Sequence, residues 1–241
     1  MDKLTEKASS FQRLTAVILA GGLGTRLRTA VPDRPKPIAE VHGRPFLAYL
    51  LDKLAAAGIE SVVLSTGHLG KQVRVVFGDF YGNLRLRYSQ ESSPLGTGGA
   101  LRLAIPLLDS DFVLVMNGDS YFDADLQPFW RWHWAKSAQA SLMLAQVSDA
   151  KRFGRVQVDA DGQVLRFDEK NGAAGSAWIN AGIYLLDRRL LSTIPARGAV
   201  SLEREMFPAW IGHGFYGYQA QGRFLDIGTP ESFAFADEFF A

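Results

Sequence analysis

The chain has 241 residues, 47% of them hydrophobic, which suffices for one substantial core. Its 26 basic and 25 acidic residues leave a net charge of +1 without a basic stripe, arguing against a polymeric nucleic acid as partner. No cysteine is present, which excludes disulfides, thiolate catalysis and Cys-ligated zinc. Residues 1–13 read as a polar tail lacking the apolar core of a signal peptide. No apolar run approaches the ~20 residues that span a bilayer. These features predict a soluble cytoplasmic protein with no membrane partner. The rest, 14–241, reads as a single domain. "TAVILA" (15–20) is an unbroken apolar run ended by Gly-Gly, as in a strand covered on both faces. "PFLAYLLDKLAAAG" (45–58) has helical spacing between Pro45 and Gly58. "SVVLST" (61–66), "LRLRYSQ" (84–90) and "DFVLVMNGD" (111–119) read as strands, with helices expected from "LGKQVRVVFGDF" and "GGALRLAIPLL" between them. This alternation predicts a parallel sheet with right-handed crossovers. The second half is richer in strands: "SLMLAQV" (141–147), a hairpin around "DADG" within 154–170, and "AWINAGIYLLD" (177–187). "SLEREMFPAWI" (201–211) looks helical, and "TPESF" opens a last helix with Thr229 as cap. The expected fold is α/β: a Rossmann-like three-layer core with a mostly parallel central sheet, and a smaller mixed-sheet lid from the second half.

The turn after the first strand, "LAGGLGTRLR", is neither a dinucleotide fingerprint, because the third glycine is missing, nor a Walker loop, because no Gly-Lys-Ser/Thr follows. Gly21, Gly22 and Gly24 still allow backbone N–H groups close to an anion. Arg26 offers a guanidinium fork suited to phosphate oxygens, although an ordinary βα turn with a surface arginine fits as well. In "PKP", two prolines predict a stiff, non-helical segment for Lys36, which would hold a charge in place at low reorganisation cost; a solvated loop lysine is the plainer reading. Asp119 ends a buried strand, where ligands gather in open α/β sheets. With Asp226 it would make a carboxylate pair of the kind that holds Mg²⁺ beside phosphates. Each aspartate alone also fits a turn or cap.

"LAGGLGTRL…PKP", "SPLGTGGAL", "NGDSYF", "FDEK", "NAGIY" and "FLDIGTPES" occur in one order between about Thr15 and Phe239. Together they resemble the sugar-1-phosphate nucleotidylyltransferases. The resemblance implies a nucleotide-binding half at about 14–125 and a sugar-binding half at about 140–225. It also implies the reaction of a sugar 1-phosphate with a nucleoside triphosphate to give a nucleotide-sugar and pyrophosphate. Carried over position by position, it implies catalytic roles for Arg26 and Lys36 and Mg²⁺ held by Asp119 and Asp226. Leu19, Gly21, Gly22, Gly24, Thr25, Gln90, Pro94, Gly96 and Thr97 would bind the nucleotide. Gly154, Glu169, Lys170 and Asn180 would bind the sugar phosphate. Many family members continue into a C-terminal extension, so assembly into a homo-oligomer stays open.

"SPLGTGGAL" looks more like guanylyltransferases than thymidylyltransferases. "NGDSYFDADL", "WINAGIY" and the short length resemble the D-glycero-α-D-manno-heptose 1-phosphate guanylyltransferases, with mannose 1-phosphate and GTP next and a uridylyltransferase after that. Two other classes compete. "DAD" at 123–125 matches the Asp-x-Asp pattern of metal-dependent glycosyltransferases, but also an acidic helix start before "FWRWHW", whose aromatics suit helical packing. A nucleotide-sugar sensor without turnover is the non-enzyme rival, opposed by the joint presence of Arg26, Lys36, Asp119 and Asp226.

Overall fold

The computed structural model describes residues 11, 13–22, 27, 34–168 and 175–241. Strand β1 (Thr15–Ala20) lies between β2 (Ser61–Thr66) and β5 (Phe112–Asn117), parallel to both. Beyond β2 come parallel β4 (Leu84–Gln90) and the short edge strand β3 (Phe80–Tyr81). The apolar run in β1 is unbroken because both faces are covered. Ile18 joins one buried cluster with Leu50 and Trp130, and Val17 joins the other with Leu101 and Phe207.

Helices α1 (Phe46–Ala56), α2 (Gly70–Phe77) and α4 (Leu126–Ala135) bring their buried residues to the first cluster. Helix α3 (Gly96–Ala104) brings Leu101 and Ala104 to the second. The result is the expected three layers. In α4 the aromatic run serves packing: Phe129 and Trp130 are buried, and full burial of one such ring contributes about 1.5–3 kcal/mol. Asp125 caps this helix, accepting from the Gln127 N–H at 2.8 Å. The polar tail ends earlier than the sequence predicts, because Phe11 is fully buried 5.5 Å from the Trp130 ring. A single aromatic in a polar segment found an apolar partner that no local pattern reveals. The remainder of that tail, residues 1–10 and 12, lies outside the described residues.

Strands β7 (Ala140–Val147), β8 (Arg155–Val158), β9 (Val164–Asp168), β10 (Ala177–Asp187) and β11 (Phe215–Ala220) form the mixed part. The β8–β9 hairpin turns where expected, with Asp159 accepting from the Asp161 and Gln163 N–H groups. Strand β10 runs antiparallel to β5, pairing Ile183 with Met116, and also pairs with β7 and β8. The mixed strands therefore extend the central sheet, which is ten-stranded among the described residues. Two short strands, β6 (Ser120–Phe122) and β12 (Phe224–Asp226), pair separately beside it. No helix of the described residues is long and apolar enough to cross a membrane.

Candidate active site

A cavity of about 500 Å³ opens at the carboxyl ends of β1 and β5, where an open α/β sheet leaves a crevice. The two strand ends meet closely. The Gly118 N–H donates to the Leu19 carbonyl at 2.9 Å, and a Cβ on Gly118 would stand 2.8 Å from that oxygen. Glycine at 118 lets the chain turn there, and the next residue, Asp119, enters the cavity.

Lys36 and Asp119 form the charged centre, with Nζ 2.7 Å from Oδ2 and the lysine side chain only 11% exposed. The lysine is not on an extended segment. Residues Lys36–Ile38 make one 3₁₀ turn, in which the Ile38 N–H donates to the Pro35 carbonyl. Pro37 fits because the first residues of such a turn need no N–H partner. Asp226 arrives on β12, paired with Ser120 of β6, and the Ile227 N–H donates to the Asp119 carbonyl at 2.9 Å. Burial, and then the Asp119 charge, push the Asp226 carboxyl up from its ordinary range, while Lys36 and Arg152 act against them. Arg152 reaches Asp226 at 3.3 Å. No group of three or more His, Cys, Asp or Glu that could hold a metal occurs among the described residues. The two aspartates nevertheless fit Mg²⁺ bound through one or two carboxylates and completed by phosphate oxygens and water.

On the β1 side the cavity is lined by Leu19, Gly21 and Gly22, and across from them by Pro94, Gly96 and Thr97. Gly96 has a φ of +71°, and a Cβ there would collide with the Val200 carbonyl. That carbonyl accepts from the Gly98 and Gly99 N–H groups at 2.8 and 3.3 Å, so the first amides of α3 are engaged by protein. Gln90 does not line the cavity. It is exposed at the end of β4, near Gly70, and Glu91 lines the cavity instead. Glu91 is the first residue beyond the end of β4, so the side chain that reaches the cavity belongs to the residue after the strand. Burial pushes the Glu91 carboxyl up, against the Leu95 N–H that donates to it at 3.1 Å.

Gly154 and Asn180 line the far side. The Asn180 amide braces a bulge in β10: its Oδ1 accepts from the Gly182 N–H and its Nδ2 donates to the Tyr184 hydroxyl, both at 2.9 Å. The structure thus gathers Lys36, Asp119, Asp226, Leu19, Gly21, Gly22, Pro94, Gly96, Thr97, Gly154 and Asn180 around one cavity. Gly24, Thr25, Arg26, Glu169 and Lys170 lie outside the described residues. Sequence reasoning missed Asn117, Phe153 and Phe224, and also Ser201, Glu203 and Arg204 of the segment read as a plain helix. That segment is a π-helix at Leu202–Met206, a geometry without a sequence signature. Asp123 and Asp125 do not line the cavity, so the Asp-x-Asp reading finds no support.

Residues 15–241 match the Nucleotidyl transferase family. A mannose-1-phosphate guanylyltransferase of Mycobacterium tuberculosis is 40% identical over 225 residues, 92% of this chain; the chain spans 63% of that relative's length. A D-glycero-alpha-D-manno-heptose 1-phosphate guanylyltransferase of Aneurinibacillus thermoaerophilus is 34% identical, with 91% of this chain and 95% of the relative covered. The crystal structure of HddC from Yersinia pseudotuberculosis complexed with GMP-PN superposes with a TM-score of 0.82 at 32% identity, over 95% of this chain and 100% of that one. The chain belongs to the nucleotidyl transferase family, and its relatives there include sugar-1-phosphate guanylyltransferases.

Proposed function

We propose that the chain transfers the guanylyl group of GTP to D-glycero-α-D-manno-heptose 1-phosphate, forming GDP-heptose and releasing pyrophosphate. The observation that carries this reading is the Lys36–Asp119 pair beside Asp226, at the strand edge of a cavity in a chain 34% identical to a heptose 1-phosphate guanylyltransferase over 95% of that relative's length. The base is supported by Glu91. Guanine presents N–H donors on its Watson–Crick edge, and an ionised carboxylate only accepts. The glycine-turn wall and Glu91 would hold the nucleotide in the first half, and Gly154 and Asn180 would face the sugar phosphate in the second.

The attacking oxygen of the sugar phosphate is already anionic at neutral pH, so no general base is required. It bonds to the α-phosphorus of GTP as the bond to the β-phosphate oxygen breaks and pyrophosphate leaves. The difficulty is bringing two polyanions into line, and positioned charge meets it. Lys36, anchored in its turn, neutralises charge building on the reacting phosphates. Arg26, from the sequence "GGLGTRL", would bind the triphosphate. Asp119 and Asp226 would hold Mg²⁺, which when bound neutralises phosphate charge. On this reading the enzyme works in the cytoplasm.

Mannose 1-phosphate is the second reading, favoured by the 40% identity to the mycobacterial relative. Pyrophosphate release should be measured for four nucleoside triphosphates against heptose, mannose, glucose and N-acetylmuramic acid 1-phosphates. The highest kcat/KM is expected for GTP with the heptose. A preference for UTP, or no pyrophosphate from any pair, would contradict the reading.

A further inference from the structure

One carboxylate in the cavity has no part in the chemistry above. Glu203 lies on the π-helix, which packs against α3, and lines the cavity. Its Oε2 accepts from the Thr97 hydroxyl at 2.7 Å and from the Ser201 hydroxyl at 2.9 Å. Each hydroxyl has a single proton, and both are spent on this oxygen. The Thr97 oxygen also accepts from the Leu202 N–H at 2.8 Å, so the network is fixed from both sides of the cavity seam. Oε1 accepts no hydrogen bond from the described residues.

A carboxylate held this way is an acceptor on a rigid mount. In a cavity that must take up two polyanions, it would repel any phosphate beside it. Its natural contact is the neutral, hydroxyl-rich part of a substrate. Two hydroxyl-bearing rings enter this reaction, the ribose and the sugar. Glu203 stands on the side of the second: the chain that continues its helix packs Phe207 against Tyr184, ring centroids 5.1 Å apart, and the Tyr184 hydroxyl meets Asn180. The π-helix adds a further pointer, because the wide turn is a rare geometry found frequently at functional sites.

We infer that Glu203, mounted by Thr97 and Ser201, accepts a ring hydroxyl of the sugar 1-phosphate and so helps to choose the sugar. This rests on the nucleotidyl-transfer reading. Thr97 is then a positioning residue for the sugar, in addition to lining the nucleotide wall.

The test is KM for D-glycero-α-D-manno-heptose 1-phosphate and for GTP in the unmodified protein, Glu203→Gln and Thr97→Val, with melting temperatures recorded alongside. Glu203→Gln keeps the shape but can turn an NH₂ donor to the cavity. It should raise the sugar KM by about tenfold or more, the scale of a hydrogen bond to a charged acceptor, while the GTP KM stays within about twofold. Thr97→Val, which frees the carboxylate from one holder, should raise the sugar KM by a smaller factor. Deoxy analogues of mannose 1-phosphate add a check that requires no loss of fold. Removing the hydroxyl that Glu203 accepts should weaken binding to the unmodified protein and add little in Glu203→Gln. A sugar KM within twofold in both variants would overturn the inference. So would a rise confined to the GTP KM, which would assign the carboxylate to the ribose. Absence of transfer by the unmodified protein would overturn the nucleotidyl-transfer reading itself, and this inference with it.

Discussion

The two walls of the cavity are built by different means. On the glycine-turn side, parallel strands buried on both faces deliver their ends to one edge, so Gly21, Lys36 and Asp119 follow from short motifs around apolar runs. On the far side, antiparallel pairing does the placing. Asn180 owes its position to a bulge in β10, where Gly182 at φ +75° allows close approach to Ser120 and Asn117. Glu203 owes its position to hydroxyls supplied partly by the opposite wall. The comparison teaches that a short motif beside a buried strand can fix a charged side chain, whereas the far wall is placed by register across strands and by contacts distant in sequence.

The largest effect expected is on the metal. Chelation should abolish pyrophosphate release and added Mg²⁺ should restore it. Asp119→Asn and Asp226→Asn should each raise the Mg²⁺ needed for half-maximal rate; an unchanged requirement in both would separate the two aspartates from any shared metal. Next comes Lys36→Ala, which should lower kcat by roughly 10²- to 10³-fold, as for other preorganised charge stabilisers. Turnover at the unmodified rate would remove Lys36 from the mechanism and leave the glycine-turn wall without its distinguishing charge.

The second-half framework should show its weakness in acid. His133 is buried on α4, with Nδ1 2.8 Å from the Ser141 hydroxyl, and burial pushes it down to about 4, against the nearby Asp187 charge. The folded protein holds this imidazole neutral, whereas the unfolded chain binds a proton below about pH 6.5. Its contribution is therefore present above pH 6.5 and lost as pH falls towards 4, on the order of 3 kcal/mol in all. Denaturant unfolding at pH 7, 5.5 and 4.5 should show this decline, and His133→Asn should flatten it. An equal slope in both proteins would contradict the assignment. The smallest effect expected is at the seam. Gly96→Ala forces a side chain onto the Val200 carbonyl at φ +71° and should cost about 1–2 kcal/mol in thermal unfolding. An unchanged melting temperature would mean that the two walls are not tightly joined there.

Most of the parallel core was legible in the sequence, because "TAVILA", "SVVLST" and "FVLVMN" are apolar throughout and only double-covered strands require that. Asp119 was legible for the same reason, as the residue at such a strand's end. Gln90 ends β4 outside the cavity and Glu91, the next residue, lines it, because a single sequence does not fix where the strand stops. Lys36 was read on the right segment with the wrong local geometry, because two flanking prolines suit extended chain and a 3₁₀ start alike. Phe11 and Glu203 were invisible, since their partners Trp130 and Thr97 are more than a hundred residues away.

The central claim is direct guanylyl transfer between two substrates gathered at one strand edge, with no covalent enzyme intermediate. GTP made chiral at the α-phosphorus by a single sulfur substitution, turned over with heptose 1-phosphate, tests it most directly. One in-line displacement predicts a GDP-sugar with inverted configuration at that phosphorus. Retention would require two displacements and contradict the account.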